Sequence, residues 1–199
     1  MAKTYATWNP SDKAAGVTLS NGNLTAAPSS AVSVRSTISV STGKWYWEIK
    51  VDSGAVDNMW AIADATANIN SYPGSDVHAW AYFQSLGRKY NNGSASSYGS
   101  APAVNDVIGV ALDADGGSVT FYLNNVTQGA ITLTGVSAPY FAMYGSGGGS
   151  VQGTANFGAT ALTYTPPSGY NSGLYTGSNA LSQPNPLLTR QAVNRASTY

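Results

Sequence analysis

Asn105–Asn125, NDVIGVALDADGGSVTFYLNN, is the stretch whose reading decides the fold. It predicts two adjacent strands, Val107–Asp113 and Ser118–Leu123, joined by Ala114-Asp115-Gly116-Gly117, whose glycines supply the positive φ values a tight connection needs. Ile108, Val110 and Leu112 share one face of the first strand. Val107, Gly109 and Ala111 share the other, which is small but not polar. A strand without a solvated face is a central strand, covered on both sides. In the second strand Val119, Phe121 and Leu123 alternate with Thr120, Tyr122 and Asn124, the pattern of a half-buried partner. A core hairpin this late in the chain requires earlier strands to fold back onto it.

Those earlier strands are legible. Asn21-Gly22 between VTLS and NLTA is a strong hairpin signal. Val32, Val34, Ile38 and Val40 fall on one face, with Arg35 and Ser39 opposite. Lys44–Asp52 alternates cleanly, Trp45, Trp47, Ile49 and Val51 against Tyr46, Glu48, Lys50 and Asp52. Met59–Asp64 and His78–Phe83 are short strands. Ala65–Ser75 reads as a loop holding the turn Tyr72-Pro73-Gly74, Gly87–Gly93 as turns, and Ser94–Val104 as a polar loop. Beyond the hairpin, Gly129–Thr134, Tyr140–Tyr144, Val151–Phe157 and Leu162–Tyr164 are further strands, with Gly145–Ser150 a flexible connector. Short strands at short spacing, with turn residues between, predict an all-β, antiparallel two-sheet β-sandwich over residues 1–170. Residues 171–199 read as a C-terminal extension that tethers to a partner chain, with a short helix over Pro186–Ala196 begun by Asn185-Pro186.

Composition narrows the function classes. Charged residues are 9% of 199, net charge is +0, and there is no cysteine. That excludes a general field for nucleic acid, disulfides and thiolate metal sites. No apolar run is long enough to span a bilayer and none opens the chain, so neither membrane insertion nor a signal peptide is expected. A surface so poor in charge has little colloidal repulsion, which suits a component of an assembly, and self-association is a further expectation. Three glycosylation acceptor patterns, at Asn23, Asn92 and Asn125, read as turn residues.

Few residues offer chemistry. His78 and Glu48 are each the sole residue of their type, and neither lies in a catalytic motif. After Asp115 the only charged side chains are Arg190 and Arg195, so carboxylate chemistry is confined to the first 115 residues. Asp113-Ala114-Asp115-Gly116 opens like a calcium loop but lacks the closing glutamate and reads as a β-turn. No catalytic residue, metal or cofactor is expected. The binding candidates are Tyr72, Trp80, Tyr82, Arg88, Tyr90 and Tyr98, aromatic and arginine side chains in or near loops, which anchor interfaces at low entropic cost.

As a set, certain residues resemble the SPRY domain: Gly43–Ile49 (GKWYWEI), Asp106–Val110 with Leu112-Asp113, Val119–Asn124, Asn156-Phe157-Gly158 and Tyr164–Gly169. Order and spacing agree over residues 8–170. Trp8–Lys13 and Lys89–Gly93 look like SPRY proteins of tailed bacteriophages in particular. The resemblance implies a concanavalin-like jelly roll without catalysis that binds peptides or proteins through loops at one rim. For this chain it implies a virion component whose partners are other virion proteins or a host surface receptor. A lectin-like carbohydrate-binding module is the alternative, since Trp and Tyr rims stack on sugars. The family's Asn-Gly after the hairpin is here Asn124-Asn125, and the tail beyond Gly169 has no counterpart in it.

Overall fold

Val107–Asp113 and Ser118–Leu123 pair antiparallel with Val110 opposite Phe121, and the first strand pairs on its other side with Lys44–Ser53, Val110 opposite Trp47. The expected central strand is therefore central. The computed structural model describes residues 2–177. In chain order the strands are β1 (Thr4–Tyr5), β2 (Trp8–Lys13), β3 (Val17–Ser20), β4 (Thr25–Pro28), β5 (Ser33–Val40) and β6 (Lys44–Ser53). There follow β7 (Asn58–Ala63), β8 (Ala79–Phe83), β9 (Arg88–Asn91), β10 (Ser94–Ser97), β11 (Val107–Asp113) and β12 (Ser118–Leu123). Last come β13 (Val126–Thr132), β14 (Tyr140–Ser146), β15 (Gln152–Asn156), β16 (Asn171–Ser172) and β17 (Tyr175–Thr176). All but β1 and β17, which pair with each other in a small separate sheet, form two packed layers of antiparallel strands. One runs β10-β9-β8-β7-β14-β5-β2 and the other β13-β12-β11-β6-β15-β4-β3, with β16 parallel to β6. No helix among the described residues is long and apolar enough to cross a membrane.

Between the layers lie Trp8, Trp47, Trp60, Tyr144, Phe121 and Phe157, all buried. Burying each tryptophan contributes on the order of 4–6 kcal/mol by area, before the entropy of ordering it is counted. Trp8 stacks on Tyr144 at 5.9 Å and meets Phe157 edge-on at 5.2 Å, so β2, β14 and the end of β15 are locked together.

Four expectations are corrected. Arg88–Asn91 and Ser94–Ser97 form a hairpin rather than turns and a loop, with Asn92 (φ 51) and Gly93 (φ 69) at its tip. Ser-Ala-Ser-Ser has no apolar alternation because β10 is exposed along its whole length. Leu162–Tyr164 is not a strand; its backbone amides serve Glu48 instead. Gly145–Ser150 is not all connector, since Gly145 and Ser146 end β14. The sandwich also continues past residue 170. Asn171 pairs with Trp45 and Tyr175 with Tyr5, while Leu174 and Tyr175 are buried, so residues assigned to the tail complete the core. The helix expected over Pro186–Ala196 lies outside the described residues.

The polar faces of β5 and β6 are also partly covered, at Arg35 and at Tyr46 and Glu48. Tyr46 and Glu48 are buried beneath residues 158–172: Glu48 accepts Thr163 N at 2.7 Å and Tyr164 N at 2.8 Å. A Cβ on Gly109 would lie 2.4 Å from Tyr46 Oη, so β11 carries glycine where the tyrosine crosses it. On the other layer, residues 64–78 cover the outward face of β7, β8 and β14. Met59, Ala61, Ala63, Ala67, Ala79, Ala81 and Met143 form a second small core there.

Candidate functional site

The covering loop is fixed by β5. Ser33 Oγ donates to the carbonyls of Ile69 and Ser71, and Arg35 Nη1 donates to those of Asp64 and Ala67. Arg35 is in turn held by Asp12. The loop then turns at Tyr72-Pro73-Gly74, closed by Ser75 N on Tyr72 O at 3.1 Å. Pro73 sits on Gly145, where a Cβ would be 2.7 Å from the proline ring. Gly74 (φ +83) lies against β9, with no room for a side chain beside the Tyr90 carbonyl, and Gly93 N donates to Gly74 O at 3.0 Å. Two neighbours that tolerate only hydrogen at Cα thus bring Tyr72 to Tyr90.

The result is a cleft of about 220 Å³ lined by Met59, Tyr72, Phe83, Tyr90 and Gly147. Tyr72 and Tyr90 meet at 6.1 Å and 86°, Phe83 and Tyr90 at 5.3 Å and 90°. The three rings are half-buried; Phe83 and Tyr90 stand on the neighbouring strands β8 and β9, and Tyr72 on the loop pinned against them.

Of the six residues singled out in the sequence, the structure brings Tyr72 and Tyr90 together in this cleft. Arg88 stands exposed on the same sheet face, opposite Phe83. The other three belong elsewhere. Tyr82 is removed from the binding set: it is fully buried, tilted against Trp60 and Phe121, and its hydroxyl donates to Ser100 O. Trp80 is half-buried and donates through Nε1 to Thr134 O at 3.0 Å. Tyr98 donates to Gly129 O and accepts Phe121 N at 3.2 Å, bracing the two sheets at one edge. Burial pushes its phenol up to about 12. The ammonium of Lys89 lies 5.8 Å from the Trp80 ring and 5.9 Å from that of Tyr98, so a cation already flanks both rings. Met59, Phe83 and Gly147 were missed. The glycines after β14 were the available signal, since a Cβ on Gly147 would meet the Phe83 ring at 2.9 Å.

The remaining chemical groups are engaged structurally. Asp113 pairs with Lys44 and accepts Gly116 N, while Asp115 accepts Gly43 N, so both carboxylates of the Asp113–Gly116 turn are spent on the turn and on the neighbouring start of β6. His78 Nδ1 lies 3.0 Å from Asp64, whose carboxylate also accepts from Thr66 and Ser137 N. Asp113 faces Lys44 across the ladder while Glu48 faces Gly109, four residues or roughly 13 Å along the strand, too far for a glycosidase pair. A larger hollow of about 550 Å³ lies between Lys3, Tyr5 and residues 158–166. Its one charged group, Lys3, rests 4.0 Å from the Tyr175 ring.

The comparisons agree with this architecture. The chain is 29% identical over 169 residues to Ran-binding protein 9 of Xenopus laevis, covering 79% of this chain and 31% of that protein. It is 30% identical over 139 residues to the human Ran-binding protein 9, covering 64% and 19% respectively. The chain thus spans less than a third of these relatives. The crystal structure of the TRIM65 PSpry domain superposes with a TM-score of 0.61 at 17% identity, covering 77% of this chain and 92% of that domain. Stonustoxin superposes over 77% of this chain with a TM-score of 0.63 at 18% identity. The SPRY domain model matches residues 44–160, from the tryptophan-bearing β6 through the end of β15, and the chain belongs to the SPRY domain family.

Proposed function

We propose that this chain is a non-enzymatic protein-binding module that grips its partner in the cleft of Tyr72, Phe83 and Tyr90. The observation that carries this is the cleft itself: three half-buried rings, Tyr90 at right angles to Tyr72 and to Phe83, held between a sheet and its braced loop in a domain of the SPRY family. Aromatic side chains in partly desolvated pockets are where interface energy concentrates. Glu48 and His78 are each held in hydrogen bonds that build the fold, which favours grasping over turnover.

Placement in the virion of a tailed phage, with other virion proteins or a host surface receptor as partner, rests on the sequence of Trp8–Lys13 and Lys89–Gly93. The relatives named above are animal proteins and lend it no support. Tethering by the tail and self-association belong to the same proposal. The lectin-like alternative is weakened because Trp80 and Tyr98 are flanked by Lys89.

The test is capture of partner proteins from virion and host-cell extracts by the wild type and by Tyr72→Ser and Tyr90→Ser. The variants are expected to lose the same partner while unfolding cooperatively like the wild type. Identical capture by all three proteins would overturn the assignment of the cleft.

A further inference from the structure

We propose that the Tyr72–Phe83–Tyr90 cleft is a cage for an alkylammonium group, the side-chain head of a lysine or an N-methylated lysine on the partner. This rests on the reading of the cleft as the partner-binding surface and names what enters it.

Tyr90 stands at right angles to both Tyr72 and Phe83 around one cleft, the arrangement of walls in which ring faces, and with them negative quadrupole lobes, can converge on a shared cation. Met59 supplies a polarizable wall. A carboxylate stands next to Gly147, behind the cleft wall. A Cβ on Gly147 would lie 2.9 Å from the Phe83 ring and 3.5 Å from Asp57 Oδ1, and a Cβ on Gly149 would lie 2.4 Å from Asp57 Oδ2. Both positions are glycine, which leaves room for the Asp57 carboxylate and the Phe83 ring on the same side of Gly147. Asp57 is half-buried and takes part in no ion pair among the described residues.

The protein's own cations leave the cleft open. Lys89 points to the opposite sheet face, over Trp80 and Tyr98. Arg88 is exposed at the edge, across the ladder from Phe83, where its charge is screened by water and favours a ligand with a carboxylate next to the lysine. A neutral apolar plug would strip water from Asp57 without replacing it, and an anion would meet both the carboxylate and the ring faces. A cation with an apolar rim satisfies both surfaces.

The experiment uses the whole chain and two probes, Nα-acetyl-Nε-trimethyllysine amide and its neutral isostere with a tert-butyl group in place of trimethylammonium. Binding is followed by NMR shifts of ring and methionine methyl protons. The charged probe is expected to bind roughly threefold to thirtyfold tighter than the isostere. Asp57→Asn, on a surface loop, is expected to narrow that gap by weakening only the charged probe, and Tyr90→Ser to abolish binding of both. Equal affinity for the two probes, or no saturable shift with the charged one up to tens of millimolar, overturns the proposal. If either happens while Tyr90→Ser still loses the captured partner, the binding-surface reading stands and only the cation assignment falls.

Discussion

Arg35 and Asp12 meet through two charge-assisted hydrogen bonds, Nε to Oδ2 at 2.8 Å and Nη2 to Oδ1 at 2.9 Å. The same guanidinium reaches over the sheet to the carbonyls of Asp64 and Ala67, so one side chain ties β2 and β5 to the loop that builds the cleft. Asp12→Asn should cost about 1–3 kcal/mol, because Arg35 is nearly buried while Asp12 keeps some solvent. Urea unfolding measures it, and amide exchange in residues 64–78 should rise with it. An unchanged midpoint would show that the loop is held without this pair.

Glu48 is the clamp on the other layer. Its buried carboxylate accepts two backbone amides, and glutamine can present only one oxygen to them. Glu48→Gln is expected to cost about 1–3 kcal/mol and to speed exchange at Thr163 and Tyr164 first. Exchange that rises evenly over the whole sandwich would contradict a local clamp.

Gly109 tests the crossing of Tyr46 over the central strand. Gly109→Ala places a methyl where Tyr46 Oη and ring atoms already sit at 2.4–2.9 Å. Overpacking of this kind costs about 1–3 kcal/mol. Pairing it with Tyr46→Phe should recover part of the loss, since the nearest atom is then gone. A fully additive double mutant would disprove the clash.

Stability should fall at both ends of the pH scale, for opposite reasons. Burial alone would raise the Asp64 carboxyl, but the hydrogen bonds from Thr66, His78 and Ser137 more than offset it, and the group stays below its usual range. Asp113 is lowered likewise, against burial, by Lys44 and the amides of its turn. A lowered carboxyl stabilises above its ordinary value of about 4 and loses that contribution as pH falls through the folded value. Burial raises the phenols of Tyr46, Tyr82, Tyr98 and Tyr144. Their contribution is complete below about 10 and is lost as pH rises through the higher folded values. Denaturant midpoints across pH should show both slopes, and Asp64→Asn should flatten the acid one alone.

The sheets were legible where one face was apolar and the other was not, as in β12 and β6, where neither face was polar, as in β11, and at the Asn21-Gly22 hairpin. What covers a face was not. Glu48 and Arg35 read as solvated because alternation reports polarity, and a polar side chain satisfied by a distant backbone looks the same as one in water. In Ala79–Phe83 both faces carry an aromatic ring, so period two gives no side to Tyr82 or Phe83, and the core took the former. Half of the cleft was therefore visible as Tyr72 and Tyr90. The other half came from Phe83, Met59 and a glycine run that reads as a linker until a ring is found against it.

Thr4 lies beside Thr176, and Tyr5 beside Tyr175, as neighbouring strands. The first and last strands of the described residues therefore lie side by side, separated by about the 5 Å of a strand spacing. Such a unit is a cassette. Residues 4–176 can be spliced into a surface turn of a host protein without prying that turn apart, and a permuted version of them opened at the Asn92-Gly93 tip, with Thr4 and Thr176 joined by a few residues, should fold and keep its cleft.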